Sequence, residues 1–263
     1  MAPELEVVGG GRMGEALVAG LLAARWCAPA DIVVVEAVDE RRRQLAGRLD
    51  GVAIAAEPVP AAAAVVAVKP ADVEQVCRAL AGAGAGRVLS IAAGVRLAAL
   101  QAWLGDAVAV VRAMPNTPAL VGAGASAIAA GSAAGPADMD WAESVLAAVG
   151  TVVRVPEHQL DAVTGLSGSG PAYVFLVAEA LTEAGVLTGL PRDASAALVR
   201  QTLLGAARLL AETGQSPEAL RAAVTSPGGT TAAGLQVLED RAVRAAFLAA
   251  VEAATARSRQ LGG

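Results

Sequence analysis

The chain reads as an α/β protein in two parts, a doubly wound sheet domain over residues 1–157 and an all-helical domain over 158–263. Three observations predict this. In the first part, short β-branched runs alternate with longer amphipathic segments, the pattern of βαβ units around a parallel sheet. Beyond Pro156 the strand-like runs stop and only helical periodicity remains. The composition is 55% hydrophobic but 2% aromatic, so Ala, Val and Leu must fill the interior, which suits closely packed helices. A length of 263 residues is enough for two domains with a sizeable core.

Taken in order, the strand candidates are 5–8, 31–36, 52–55, 64–68, 87–91 and 107–112, with further strand-like pieces at 125–129 and 151–155. Between them lie helix candidates at 13–24, 39–48, 72–81, 97–104 and 136–149. The second part predicts helices over 172–187, 191–212, 217–224, 231–240 and 241–261. Pro191 and Pro217 sit where first-turn prolines belong, and Asp193 and Glu218 follow near the positive helix ends. The apolar faces of these helices are wider than one small bundle can bury. That predicts a homodimer that interleaves its helical domains.

Composition also excludes several functions. No apolar run in the sequence reaches the ~18 to 20 residues needed to cross a bilayer. The longest candidates are broken by Pro58, Pro60, Lys69, Pro118 or charges, so no membrane span is expected. The N-terminal segment is acidic where a secretion signal is basic, which predicts a cytoplasmic protein. Cys27 and Cys77 are too few for a disulfide framework or a structural zinc site and read as small buried hydrophobes; no metal is expected. A net charge of -5, with no basic stripe interleaved with aromatics, argues against nucleic acid as a partner.

The first motif is Val7-Val8-Gly9-Gly10-Gly11-Arg12-Met13-Gly14, a G-x-G-x-x-G between strand and helix. Gly9 permits the tight turn, Gly11 lets the backbone approach a pyrophosphate, and Gly14 lets helix pack on strand. The helix N-terminus around Arg12 and Met13 then offers partial positive charge to phosphates. This is the Rossmann-type dinucleotide fingerprint. Glu36 closes the second strand about 20 residues on, where an acidic side chain accepts hydrogen bonds from an adenosine ribose. By itself it favours NADH. Arg41, Arg42 and Arg43 follow and offer charge to a 2′-phosphate, which leaves NADPH open; a solvated helix face accounts for them equally well.

Lys69, the sole lysine, ends the fourth strand in Val68-Lys69-Pro70 and points toward the cofactor region, since ligands sit beyond the carboxyl ends of parallel strands. Two further strand ends, Ser90-Ile91-Ala92-Ala93-Gly94 and Met114-Pro115-Asn116, bring small or polar residues to the same side.

Ketone or alcohol chemistry calls for a positioned acid or base. His158, the only histidine, lies in the stretch between the two parts and reads as solvated or capping. Tyr173, the only tyrosine, lacks a lysine four residues on, because Val177 stands there. The second part contains no lysine at all. An activated C=N, by contrast, needs only hydride and orientation.

Two segments break the Ala-rich pattern of the second part. Thr164 to Tyr173 is a run of small residues opening the first long helix, and Ser226-Pro227-Gly228-Gly229-Thr230-Thr231 precedes another helix and offers hydroxyls and free backbone N–H groups. The latter is a good carboxylate cradle. Together with the glycine loop and the blocks at 66–70, 90–94, 114–118, 167–173 and 220–240, these make the chain resemble the pyrroline-5-carboxylate reductases over nearly its whole length.

The resemblance implies hydride transfer from NADPH or NADH to the imine of 1-pyrroline-5-carboxylate, giving L-proline. It implies that Ser226, Gly228, Gly229 and Thr230 hold the substrate carboxylate and that Thr231, the catalytic candidate, hydrogen-bonds the ring nitrogen. It implies cofactor contacts from Gly9, Gly11, Arg12, Met13, Gly14, Glu36, Val68, Lys69, Pro70, Ala92, Ala93, Gly94 and Asn116. It further implies a dimer through the helical domain, assembled into a larger ring, although Glu36 departs from the smaller or basic residues of many NADPH-preferring members. The other readings are a reductase of a different cyclic imine and a non-catalytic dinucleotide-binding regulator.

Overall fold

The computed structural model describes residues 3–262. Strand β1 (Leu5–Val8) turns into α1 (Arg12–Ala23), followed by β2 (Ile32–Val35), α2 (Asp39–Ala46), β3 (Ala53–Ala55) and β4 (Ala63–Val66). Then come α3 (Val73–Ala83), β5 (Arg87–Ser90), α4 (Leu97–Leu104), β6 (Ala109–Met114), β7 (Gly124–Ala130), α5 (Pro136–Ala147) and β8 (Gly150–Arg154). They form one eight-stranded sheet in the order β3-β2-β1-β4-β5-β6-β7-β8. Strands β1 and β4 are therefore the neighbours at which the winding direction reverses, and ligands of such sheets collect in the crevice beyond that point.

Strand β1 has the bounds expected, six others differ by one or two end residues, and β6 is shifted two residues along from the 107–112 expected. One pairing departs from the parallel expectation. Strand β7 runs antiparallel to β6. Only the short 3-10 turn Thr117–Val121 and its flanks connect the two, and a parallel crossover needs a dozen residues or more.

Both sheet faces are covered, so the strands are apolar on both sides. Leu5 and Val7 pack with Leu17, Val18 and Leu21 of α1 and with Val145 and Leu146 of α5. Val8, Ala64 and Val66 face the opposite way, onto Val73, Cys77 and Leu80 of α3 and Leu97 and Leu100 of α4. Each such Leu or Val contributes about 1.5–3 kcal/mol of burial. Glu6 is the exception within β1, fully buried between Leu5 and Val7. One carboxylate oxygen accepts the Val59 N–H at 2.7 Å, and the other has no partner among the described residues. Burial pushes its pKa up, against a smaller lowering by that hydrogen bond.

The rest of the chain is helical: α6 (Leu160–Val163), a π turn at Thr164–Gly168, α7 (Gly170–Leu187), α8 (Arg192–Thr213), α9 (Pro217–Ala223), α10 (Thr230–Asp240) and α11 (Val243–Leu261). By packing, the chain divides into Met1–Ser169 with Glu252–Gly263, and Gly170–Val251. The division thus falls later than the 157/158 boundary expected from sequence, because α6, the π turn and the last turns of α11 cluster with the sheet. Within the second unit, α7 and α8 approach closely where Ser195 donates its hydroxyl to the Thr182 carbonyl at 2.8 Å. Gly185 leaves room for it, since a Cβ there would lie 2.1 Å from Ser195 Oγ.

Among the described residues, no hydrophobic side chain beyond Leu160 is buried. The continuous helical stretch 157–187 is long and apolar enough to cross a membrane by length and composition alone, and none of its apolar window is buried. The π turn and a bend at Ser169 join α6 to α7.

Candidate active site

The sheet unit holds a cavity of about 510 Å³ beyond the carboxyl ends of β1, β2, β3 and β4. The glycine loop forms its floor. Gly9 adopts φ +110°, and a Cβ there would lie 2.6 Å from the Ala67 carbonyl oxygen. Gly14 packs against the turn so tightly that a Cβ would stand 2.0 Å from the Gly9 oxygen. Gly11, the N-cap of α1, faces open space, with nothing within 4 Å of where its Cβ would be. These are the properties a pyrophosphate needs: a turn that clears the strands and unshielded N–H groups at the positive end of a 12-residue helix.

Of the cofactor candidates, Gly9, Gly11, Glu36, Val68 and Lys69 line this cavity together. Lys69 is exposed and stands three residues beyond β4, at the start of the turn Pro70–Asp72, rather than ending the strand, while Glu36 is held from beneath by the loop. Its carboxylate accepts the Gly10 N–H at 3.1 Å and the Val38 N–H at 2.9 Å. Arg12 and Pro70 are exposed outside the lining, and Met13 packs its side chain on the core, leaving its backbone N–H for a ligand.

Ala92, Ala93 and Gly94 lie apart, beyond β5. Ala92 is buried, Ala93 exposed, and Gly94 turns the chain with φ +77°. Asn116 is buried beyond β6, its amide tied on both sides: Nδ2 donates to the Ser167 carbonyl at 3.0 Å, and Oδ1 accepts the Ala125 N–H at 2.8 Å. Gly168 completes this junction, because a Cβ there would lie 2.8 Å from Met114 Cε. Asn116 therefore fixes the end of β6 against the small-residue segment.

Four cavity residues carried no recognisable motif in the sequence. Glu57 and Pro58 come from the β3–β4 connection, and Asp72 and Gln75 from the turn and first helical residues after Lys69. Gly10 also works in the loop, as the donor to Glu36. Its need for glycine is set by tertiary contact, since a Cβ at Gly10 would meet Leu45 at 2.3 Å and Glu36 at 3.3 Å.

In the helical unit, the 226–231 turn caps α10. Gly229 is its N-cap, donates its N–H to the Ser226 carbonyl at 3.0 Å, and has no side-chain cap over it. Gly228 takes φ +68°, and a Cβ on Gly229 would fall 2.3 Å from Ser226 Oγ. The N–H groups of Thr230, Thr231 and Ala232 precede the first helical acceptor, and the hydroxyls of Ser226 and Thr231 have no partner among the described residues. This is a concentrated set of donors with no counter-anion of its own.

His158, Tyr173 and Cys77 do not line the cavity. His158 is exposed, Tyr173 half-buried, and Cys77 buried with its thiol pushed up to about 12 by desolvation. Among the described residues, no group of three or more His, Cys, Asp or Glu side chains is placed to hold a metal.

Comparison with known proteins decides between the dinucleotide enzymes that this geometry admits. Residues 157–261 match the family model for pyrroline-5-carboxylate reductase dimerisation, and residues 4–94 match that for coenzyme F420-dependent NADP oxidoreductases. A pyrroline-5-carboxylate reductase of Synechocystis is 47% identical, covering 100% of this chain and 99% of the relative. The chain belongs to the pyrroline-5-carboxylate reductases.

A Mycobacterium tuberculosis member of the family is 44% identical over 98% of this chain and 96% of its own length. The solved reductase of Coxiella burnetii superposes with a TM-score of 0.94 at 38% identity, with 100% of both chains covered. That of Plasmodium falciparum, which has NADP bound, superposes with a TM-score of 0.83 at 28% identity over 99% of this chain and 98% of its own. Membership makes this chain an NAD(P)H-dependent oxidoreductase with a Rossmann-type domain and a dimerisation domain. The dimerisation match spans the helices whose apolar side chains are exposed.

Proposed function

We propose that the 226–231 turn holds the carboxylate of 1-pyrroline-5-carboxylate while the glycine loop holds NADH or NADPH, and that the product is L-proline. The observation that carries the assignment of roles is the α10 N-terminus, where Gly229 leaves the backbone donors open and Ser226 and Thr231 add hydroxyls. The ring imine arrives protonated and already electrophilic, so orientation supplies much of the barrier reduction.

When bound, the reduced nicotinamide supplies a hydride to the imine carbon, and the C=N π pair becomes the nitrogen lone pair of the amine. The protein's part is to orient and to shield. Backbone N–H groups of Thr230, Thr231 and Ala232 hold the carboxylate oxygens, the Ser226 hydroxyl adds a donor, and the Thr231 hydroxyl accepts from the protonated ring nitrogen. Gly228 and Gly229 keep the cradle shallow enough for the carboxylate to reach those donors.

The working unit is a homodimer formed through the helical domain and assembled into a larger ring, and the protein acts in the cytoplasm. Support for the dimer comes from the exposed Phe175, Leu176, Leu248 and their neighbours along helices that match a dimerisation model. The decisive assay follows loss of reduced-nicotinamide absorbance together with proline formed, using five- and six-membered cyclic imino acids side by side. One proline per cofactor oxidised, with the five-membered ring turned over faster, is the expected result. Faster reduction of the six-membered ring would reassign the substrate, and binding without turnover would make the chain a regulator.

A further inference from the structure

We infer that Glu6, buried in β1 and outside the cavity lining, is a positioning residue for the cofactor: through the Val59 N–H it holds the connection that walls the cavity. The inference rests on the dinucleotide reading of that cavity and adds to it the group that keeps its wall in place.

Residues 56–62 carry the chain from β3, at the sheet edge, back to the start of β4 without a helix. Strand order puts β2 and β1 between those two strands, so this strap passes both. Its first part, Ala56, Glu57 and Pro58, lines the cavity. The stretch Glu57-Pro58-Val59-Pro60 is stiff throughout, because each proline ring fixes its own φ and confines the residue before it to extended backbone. A stiff strap needs few ties. Neither proline has an N–H to give, so Val59 supplies the backbone donor between them, and it donates to Glu6 Oε1 at 2.7 Å.

Glu6 makes that tie at a cost in stability. Its register neighbours are Val33 on β2 and Ala64 on β4, and its side chain shares the sheet face of Val8, packed toward α3 and α4. The residue is fully buried, Oε2 has no partner among the described residues, and burial pushes its pKa up. A carboxyl taken from water with one oxygen unpaired costs stability that an apolar side chain there would not. Its return lies in the strap it holds.

The strap bounds the nucleoside end of the cavity. The glycine loop follows β1, whereas Glu57 and Pro58 follow β3, two strands away, or about 10 Å at a strand spacing of about 4.8 Å. That lies beyond a pyrophosphate seated on the loop. A strap released from Glu6 therefore loosens the grip on the nucleoside and leaves the reacting end of the cofactor as it was.

The test compares Glu6→Met with Glu6→Gln in the intact protein. Methionine fills the space but is a weak acceptor, whereas the glutamine carbonyl still accepts the Val59 N–H. Glu6→Met should keep or raise the urea midpoint at neutral pH, yet raise the Kd of NADH, NADPH and ADP-ribose together by about tenfold. Reduction of the five-membered cyclic imino acid at saturating cofactor should stay within about twofold of wild type, the split expected of a positioning role. Glu6→Gln should keep each Kd within about threefold of wild type. A second measurement needs no variant: in the wild type, hydrogen exchange at the Val59 amide should be slow, and slower by about tenfold or more with ADP-ribose bound. Unchanged Kd values in Glu6→Met, equal losses of affinity in both variants, or a Val59 amide that exchanges freely with ADP-ribose bound overturns the inference and leaves the reductase reading standing. If the wild type binds none of the three ligands, the dinucleotide reading falls and the inference with it.

Discussion

The two units of this chain solve the problem of burial differently. The sheet unit closes on itself: every buried hydrophobic side chain among the described residues lies at or before Leu160. The unit 170–251 leaves Phe175 62% and Leu248 74% exposed, with Leu176, Leu198 and Leu204 beside them in exposure. Two helices of Ala and Leu joined through Ser195 can orient one another but cannot cover such faces. The difference teaches that the glycine-loop half carries its own core, whereas the helical half, which matches a dimerisation model, exposes the apolar faces that a second copy would cover.

The largest effect should come from breaking that association. The double variant Phe175→Asp, Leu176→Asp places two charges on a face that association would dehydrate. It should reduce the assembly to monomer by light scattering and lower turnover by at least about 100-fold, because burying unpaired charge costs several kcal/mol. An unaltered mass and rate would remove this face from the interface.

On the sheet side, Gly14→Val should be next in size. Its Cβ would meet the Gly9 carbonyl at 2.0 Å, so α1 must move off the turn. Cofactor affinity should fall by about 100-fold or more, with dimer mass retained. Normal NADH titration in this variant would contradict the tight-turn account.

Within the substrate cradle, Thr231→Ala should lower kcat by about 10- to 100-fold and leave cofactor Kd unchanged, the signature of a contact made on the substrate side. An unchanged kcat would take Thr231 off the catalytic assignment. Gly229→Val should act mainly on KM, since its Cβ would be driven onto Ser226 Oγ. An increase of about tenfold is expected, and unchanged substrate saturation would contradict the carboxylate cradle.

Glu6 provides the smallest test and the one specific to the sheet. Burial raises its carboxyl pKa, so its neutral form suits the folded state and its ionised form does not. The stability it contributes is complete below the unfolded-state pKa and is lost as pH rises through the elevated folded-state value. Glu6→Gln should therefore flatten the fall in urea midpoint from acid toward neutral pH. A parallel pH profile in both proteins would show that Glu6 titrates normally.

Much of this was legible in the sequence where one residue type serves one local purpose. The glycines at 9, 11 and 14 and the proline at 217 declared their elements, because turns, close approach and first helical turns admit few alternatives, whereas Pro191, expected in a first turn, stands instead at the N-cap of α8. The antiparallel β7 was not legible, since periodicity is the same in either direction. Nor was the cavity's full acidic lining, because Glu57 and Asp72 reach it from separate connections and share no spacing with Glu36. The role of Asn116 was hidden as well, its partners Ala125 and Ser167 being set by tertiary contact alone.

Sedimentation of the purified chain over a range of concentrations, with helicity and imine reduction followed on the same samples, tests the division between the two units most directly. A dimer or a multiple of dimers is predicted, with helicity and turnover falling together once dilution yields monomer. A monomer that keeps its full helical signal and full activity would contradict it.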